Sequence, residues 1–143
     1  MSKIYEKVCD LTHLKSLVKE IISDIGDEGV ILLRGNLASG KTTFVKAFAS
    51  SLKIEEDISS PTFSILHEYA GKLFHYDIYQ CGVEGFLKSG LVEKLECVGY
   101  HLIEWGESEF ETLLRHFGIP YSTIDITTAS SKRRYKVNIH AYA

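Results

Sequence analysis

The residues best placed to do chemistry lie in one run, Gly35-Asn36-Leu37-Ala38-Ser39-Gly40-Lys41-Thr42, which fits the phosphate-loop pattern G-x-x-x-x-G-K-[ST]. Gly35 and Gly40 allow the backbone conformations of a loop whose amide hydrogens turn inward, and a helix beginning after it adds the positive end of its dipole. Such a nest takes an anion, and a polyphosphate is its natural guest. Lys41 supplies a mobile charge that reaches the β- and γ-phosphates, and the Thr42 hydroxyl is placed to ligate magnesium. The flanks agree. Val30-Ile31-Leu32-Leu33 reads as a buried strand, and Phe44, Val45, Ala47 and Phe48 carry helical spacing.

Holding a nucleotide is not hydrolysing one; hydrolysis also needs an acid near the metal and a group that positions water. Two acids qualify. Glu104 closes the apolar strand Tyr100-His101-Leu102-Ile103, and Asp77 interrupts the apolar stretch His75-Tyr76-Asp77-Ile78-Tyr79, where an unpaired charge is costly. Either acid taken alone is as readily a surface group at a strand end, but beside a phosphate loop the metal-shell role is favoured. Thr62, following Pro61, stands where a switch threonine would sense the γ-phosphate, the alternative being a plain turn threonine. Lys132-Arg133-Arg134 is a basic hairpin tip from which an arginine can touch phosphate or base. Trp105 is a core or an interface aromatic, with the core as the default. His67, His75 and His101 lack ligand spacing and read as structural, as does Cys97.

The elements that must position these groups follow from periodicity. Leu11, Leu14, Leu17, Val18, Ile21, Ile22 and Ile25 form one stripe, predicting an amphipathic helix with Asp10 or Thr12 as N-cap and Gly26 as its stop. The helix after the phosphate loop is expected to run to about Leu52. A polar stretch from Lys53 to Ser60 follows, ended by Pro61. Phe63 to Tyr69 and Lys72 to Tyr79, joined by Ala70-Gly71, predict an antiparallel hairpin. Gly82 to Gly99 is weakly helical with Leu91, Val92 and Leu95 inward, Tyr100 to Trp105 is a strand, and Glu107 to Phe117 a helix stopped by Gly118-Ile119-Pro120. A second hairpin closes the chain, Ser122 to Thr128 pairing with Arg133 to His140 across Ala129-Ser130-Ser131-Lys132.

Composition bounds the rest. At 143 residues, 45% apolar and 24% charged, the chain suits one α/β domain spanning residues 1 to 143. No apolar run approaches the ~20 residues that cross a bilayer, and Lys3, Glu6, Lys7 and Asp10 break any signal-peptide core, so a cytoplasmic protein is expected. Cys9, Cys81 and Cys97 show no metal-ligand spacing and read as reduced thiols. A net charge of -3 argues against free-standing binding to nucleic acid.

Taken together, these stretches resemble the TsaE (YjeE) family, small bacterial ATPases that take part in making threonylcarbamoyl adenosine in tRNA. The resemblance rests on Thr12 in the leading helix, Gly35 to Thr43, Ser60-Pro61-Thr62-Phe63, His75-Tyr76-Asp77-Ile78-Tyr79, Glu104-Trp105 and Arg133, in matching order and spacing. Asn36 and Ala38 replace the family's usual loop aspartate and second glycine, Gln80 replaces an arginine, and Arg134 competes with Arg133 for the late arginine. The implied fold is a P-loop NTPase-like three-layer sandwich, a mixed, mainly parallel sheet with antiparallel hairpins and flanking helices. The implied activity is slow, partner-stimulated hydrolysis of ATP to ADP with Mg2+. The partners implied are the TsaB and TsaD proteins, which the ATP cycle resets between rounds after TsaC has made the threonylcarbamoyl adenylate; tRNA is touched only through that complex. Residue by residue, the resemblance assigns Lys41 and the loop backbone of Gly35, Asn36, Leu37, Ala38, Ser39 and Gly40 to the phosphates. It assigns Thr42 and Glu104 to magnesium, Asp77 to metal or water, Thr12 and Arg133 to flanking the nucleotide, and Thr43 to supporting the loop.

Two rival classes remain. A small-molecule or nucleoside kinase shares the loop but needs an arginine-bearing lid, and no arginine stands between Thr43 and Arg115. A nucleotide-binding regulator without useful hydrolysis is left open by Ala38 and Gln80. Little sequence remains for a dedicated small-molecule pocket, which favours a protein whose segment Ser59 to Phe63 reports ATP to another polypeptide.

Overall fold

The computed structural model describes residues 2–36, 40–58 and 64–142. In chain order they form β1 (Lys3–Cys9), α1 (Leu11–Ile25), β2 (Gly29–Arg34), α2 (Lys41–Ser51), β3 (Leu66–Tyr69), β4 (Leu73–Asp77) and α3 (Gly82–Lys88). A 3-10 turn at Glu93–Glu96 leads to β5 (Tyr100–Glu104), α4 (Ser108–His116), β6 (Tyr121–Ala129) and β7 (Lys132–Tyr142). The stripe of α1 begins where expected, with the Asp10 side chain accepting from the His13 amide, and ends at Gly26, whose φ of 100° suits glycine.

Seven strands make one sheet in the order β1-β7-β6-β2-β5-β4-β3. The central junctions β6-β2, β2-β5 and β5-β4 are parallel, while both flanks are antiparallel hairpins or their extension. Parallel strands buried on both faces read as continuous apolar runs, and β2 shows how that run is divided. Ile31 and Leu33 join Leu14, Val18, Phe44 and Phe48 in the core under α1 and α2. Val30 and Leu32 join Phe86, Phe110 and Leu114 under α3 and α4. The result is helix, sheet, helix.

Sequence periodicity did not disclose β1. Its Lys3, Glu6 and Lys7 are exposed, and only Tyr5 and Cys9 turn towards the core. Charge of this kind on an edge strand discourages pairing with a second sheet, and it also erases the apolar alternation by which a strand is recognised.

Three parallel strands therefore bring their C-terminal ends to one rim. Leu33 pairs with Glu104 and Glu104 with Asp77, so the penultimate residue of β2 and the last residues of β5 and β4 stand side by side. Gly35 follows β2 directly at that rim, and α2 begins at Lys41.

Candidate active site

Gly40 caps α2 with φ at 106°, a left-handed conformation that glycine adopts without steric cost. It is also close-packed. A Cβ there would lie 2.6 Å from the Arg133 Nη1 atom, so the guanidinium rests directly on the turn into α2. The alternation of β7 explains the choice between the two arginines. Tyr135, Val137 and Ile139 face the α1/α2 core, so Arg133 shares their side and is half-buried, whereas Arg134 is exposed on the other. Thr12 lies exposed in the first turn of α1, next to Asp10 and Leu11, which with Arg133 line a cavity of about 220 Å³.

Lys41 opens α2 and is only 3% exposed. Its Nζ donates to the carbonyls of Gly35 at 2.8 Å and Asn36 at 2.9 Å, and lies 3.9 Å above the Trp105 ring centroid. Burial pulls the lysine's pKa below its ordinary value, while Glu104, Asp77 and Glu107 work to raise it. Trp105 holds its place through an unusual backbone: φ is 70°, and its amide donates to the Leu33 carbonyl at 2.9 Å. Its ring contacts Tyr79 at 4.6 Å between centroids. The tryptophan packs against the core under α3 and α4, as expected, but is half-buried at the rim, where its ring also serves as a floor for the lysine.

Next along α2, the Thr42 hydroxyl donates to Glu104 Oε2 at 2.9 Å. Glu104 is 3% exposed, and the same oxygen meets His75 Nε2 at 2.5 Å. Asp77 stands opposite Glu104 in the register, and its Oδ1 accepts the Tyr79 amide at 3.0 Å. Thr43 is half-buried in the first turn of α2. The structure therefore gathers Gly35, Asn36, Gly40, Lys41, Thr42, Glu104, Asp77 and Arg133 at one end of the sheet. Leu37, Ala38, Ser39 and Thr62, with the segment Ser59 to Phe63, lie outside the described residues.

His75 is the site group that sequence reasoning missed. Its lack of ligand spacing predicts a structural histidine, yet its Nε2 touches Glu104. The available signal was a histidine two residues before Asp77 in an otherwise apolar strand, hence on the same face of the sheet.

The donor set fits magnesium. A threonine hydroxyl and a carboxylate side by side are hard oxygen ligands, and magnesium is held by one or two such groups together with phosphate oxygens and water. Among the described residues no cluster of three or more His, Cys, Asp or Glu could hold a metal ion by itself.

A family description, "Threonylcarbamoyl adenosine biosynthesis protein TsaE", matches residues 8–136. The chain belongs to the TsaE family. A relative in Treponema pallidum, named as a tRNA threonylcarbamoyladenosine biosynthesis protein TsaE, is 43% identical over 91 residues, 61% of this chain and 67% of its own. TsaE proteins of Aquifex aeolicus and Bacillus subtilis are 40% and 42% identical, over 65% and 53% of this chain and 69% and 49% of theirs. The crystal structure of Bacillus subtilis YdiB superposes with a TM-score of 0.66 at 23% identity, covering 99% of this chain and 88% of that one, which supports the α/β fold. Among the described residues no helix is long and apolar enough to cross a membrane.

Proposed function

We propose that this TsaE-family protein binds and slowly hydrolyses ATP, and that hydrolysis is coupled to the TsaB and TsaD proteins in the formation of threonylcarbamoyl adenosine in tRNA. The observation that carries the reading is the convergence of Lys41, Thr42 and Glu104 at the rim where β2 and β5 end. Lys41 is presently bonded to two carbonyls of its own loop, and phosphate oxygens would replace them as acceptors. Thr42 and Glu104 would hold Mg2+, which when bound draws charge from the phosphate oxygens. Asp77, beside Glu104 in register, is the group for orienting water, and Arg133 and Thr12 flank the nucleotide. Ionisable side chains so deeply buried and so close together are characteristic of functional sites.

Phosphate release from ATP and Mg2+ is measured with the protein alone and with purified TsaB-TsaD. Turnover is expected to be slow alone and to rise with the pair, and Lys41→Ala or Glu104→Gln should abolish the rise. Label transferred from ATP to a metabolite would establish the kinase instead. Turnover unchanged by the pair would establish a regulator without useful hydrolysis.

A further inference from the structure

We propose that His75 is a positioning residue for the metal-side carboxylate: its Nε2–H holds Glu104 Oε2, and through Glu104 it fixes the Thr42 hydroxyl. The proposal rests on the nucleotide-site reading above and adds to it a residue that the reading does not use. His75 is fully buried on β4, and with Leu73 and Asp77 it lies on the sheet face covered by α2. Its Nε2 lies 2.5 Å from Glu104 Oε2, the oxygen that also accepts from Thr42 at 2.9 Å. Facing a carboxylate oxygen that already accepts one hydrogen, Nε2 carries the proton.

The second ring nitrogen shows what His75 is for. Nδ1 is buried with no hydrogen-bond partner among the described residues. His101, in the neighbouring strand, shows the arrangement of a histidine held for structure alone. Its Nδ1 meets the Tyr76 hydroxyl at 2.7 Å, and its Nε2 meets the Cys97 carbonyl at 2.8 Å. Among the described residues His75 makes one hydrogen bond, and makes it to the acid proposed above as a magnesium ligand. An apolar residue would fill the same space without an orphaned nitrogen. The bond to Glu104 is what an apolar residue cannot supply. A buried carboxylate with donors on Oε2 from two different elements is confined to one orientation, and outer partners of this kind commonly alter metal affinity 10–100-fold.

ADP binding is measured by calorimetry in magnesium chloride and in EDTA, and thermal melting checks that each variant is folded. In the wild type, magnesium should tighten binding. His75→Phe should reduce that magnesium-dependent gain about tenfold or more with the affinity in EDTA unchanged. His75→Gln, whose amide nitrogen reaches the place of Nε2, should restore it to within about threefold. His75→Asn, one atom shorter, should behave like His75→Phe. Turnover should follow in kcat, with KM for ATP at saturating magnesium unmoved. If the phenylalanine variant does not melt cooperatively, the glutamine and asparagine pair decides. The proposal is overturned if the gain survives in the phenylalanine and asparagine variants, or if glutamine loses as much as they do. Wild-type binding that ignores magnesium would overturn the nucleotide-site reading itself, a distinguishable failure.

Discussion

Replacing Arg34 with methionine should cost about 2–3 kcal/mol and loosen the base of the phosphate loop. Arg34 is the last residue of β2 and directly precedes Gly35. Its guanidinium grips Asp125 on β6 with Nε at 2.9 Å and Nη2 at 3.1 Å, and Glu111 on α4 with Nη1 at 2.5 Å. Glu111 also accepts the Tyr121 hydroxyl at 2.8 Å. Burial opposes the arginine's charge, but the two carboxylates outweigh it and push its pKa above the ordinary value. Breaking a buried pair by deleting one partner costs about 3–5 kcal/mol. The Asp125 side chain is 40% exposed, so its share is screened, while Arg34 at 17% and Glu111 at 23% are more enclosed. At roughly 3 °C per kcal/mol for a chain of this size, melting should fall by about 6–9 °C. Much of the cost is two carboxylates left facing each other, so adding Glu111→Gln and Asp125→Asn to Arg34→Met should recover about half of it. Calorimetric melting of the single and triple variants decides. A single variant within about 0.5 kcal/mol of wild type, or a triple variant no more stable than the single, refutes the reasoning.

Gly40→Ala should add about 1–2 kcal/mol of backbone strain and push the Arg133 guanidinium away, weakening ADP binding about tenfold by calorimetry. Arg133→Ala on top of it should then cost little more, and additive losses would refute the shared cause. Burial holds the His101 pKa below the ordinary histidine value. Its stabilising contribution is therefore complete above the unfolded value near ~6.5 and is lost as pH falls towards the folded one, by at most about 1.4 kcal/mol per pH unit. Melting temperatures between pH 7.5 and 5 should show that loss, and His101→Phe, which keeps the ring stacked on Phe74, should flatten the slope. Trp105 is the single tryptophan, and Lys41 lies over its ring. Adding ADP with Mg2+ should change its fluorescence as the ammonium moves to phosphate, and Lys41→Met should remove the change.

What the sequence disclosed and what it hid have a common physical basis. The helices and the parallel strands announce themselves because one-sided or two-sided burial writes a period into the residues, as the stripe from Leu14 to Ile25 and the run from Val30 to Leu33 do. Strand β1 was hidden because an edge strand with charged residues carries no such period. Glu104 and Asp77 were legible as acids out of place in apolar strands, but the register that sets them side by side is a tertiary fact. The contacts of Trp105 and His75 were hidden for the opposite reason: an aromatic or a histidine in an apolar stretch has an ordinary explanation, and only the fold brings them against Lys41 and Glu104.

Several of these residues share a location, and that supports the proposed nucleotide site. Elsewhere apolar side chains are interleaved on both faces, with departures on β7 at His140, whose φ is positive, and at Asn138, whose Oδ1 has no partner among the described residues. At one rim several departures occur together: a buried lysine, a buried glutamate, a left-handed tryptophan and a histidine nitrogen with no partner among the described residues. Each is unfavourable singly, by about 1–3 kcal/mol for a strained backbone residue or an unsatisfied buried polar group. Scattered, they would be defects of packing. Gathered between the ends of β2, β4 and β5, they oppose one another's cost, the lysine's charge answering Glu104 and Asp77, and the histidine and threonine hydrogens answering one carboxylate oxygen. A stability-driven sequence would place leucine at several of these positions. Gathered in one cluster, beside the run that fits a phosphate loop, they support the proposal that this rim is a nucleotide site.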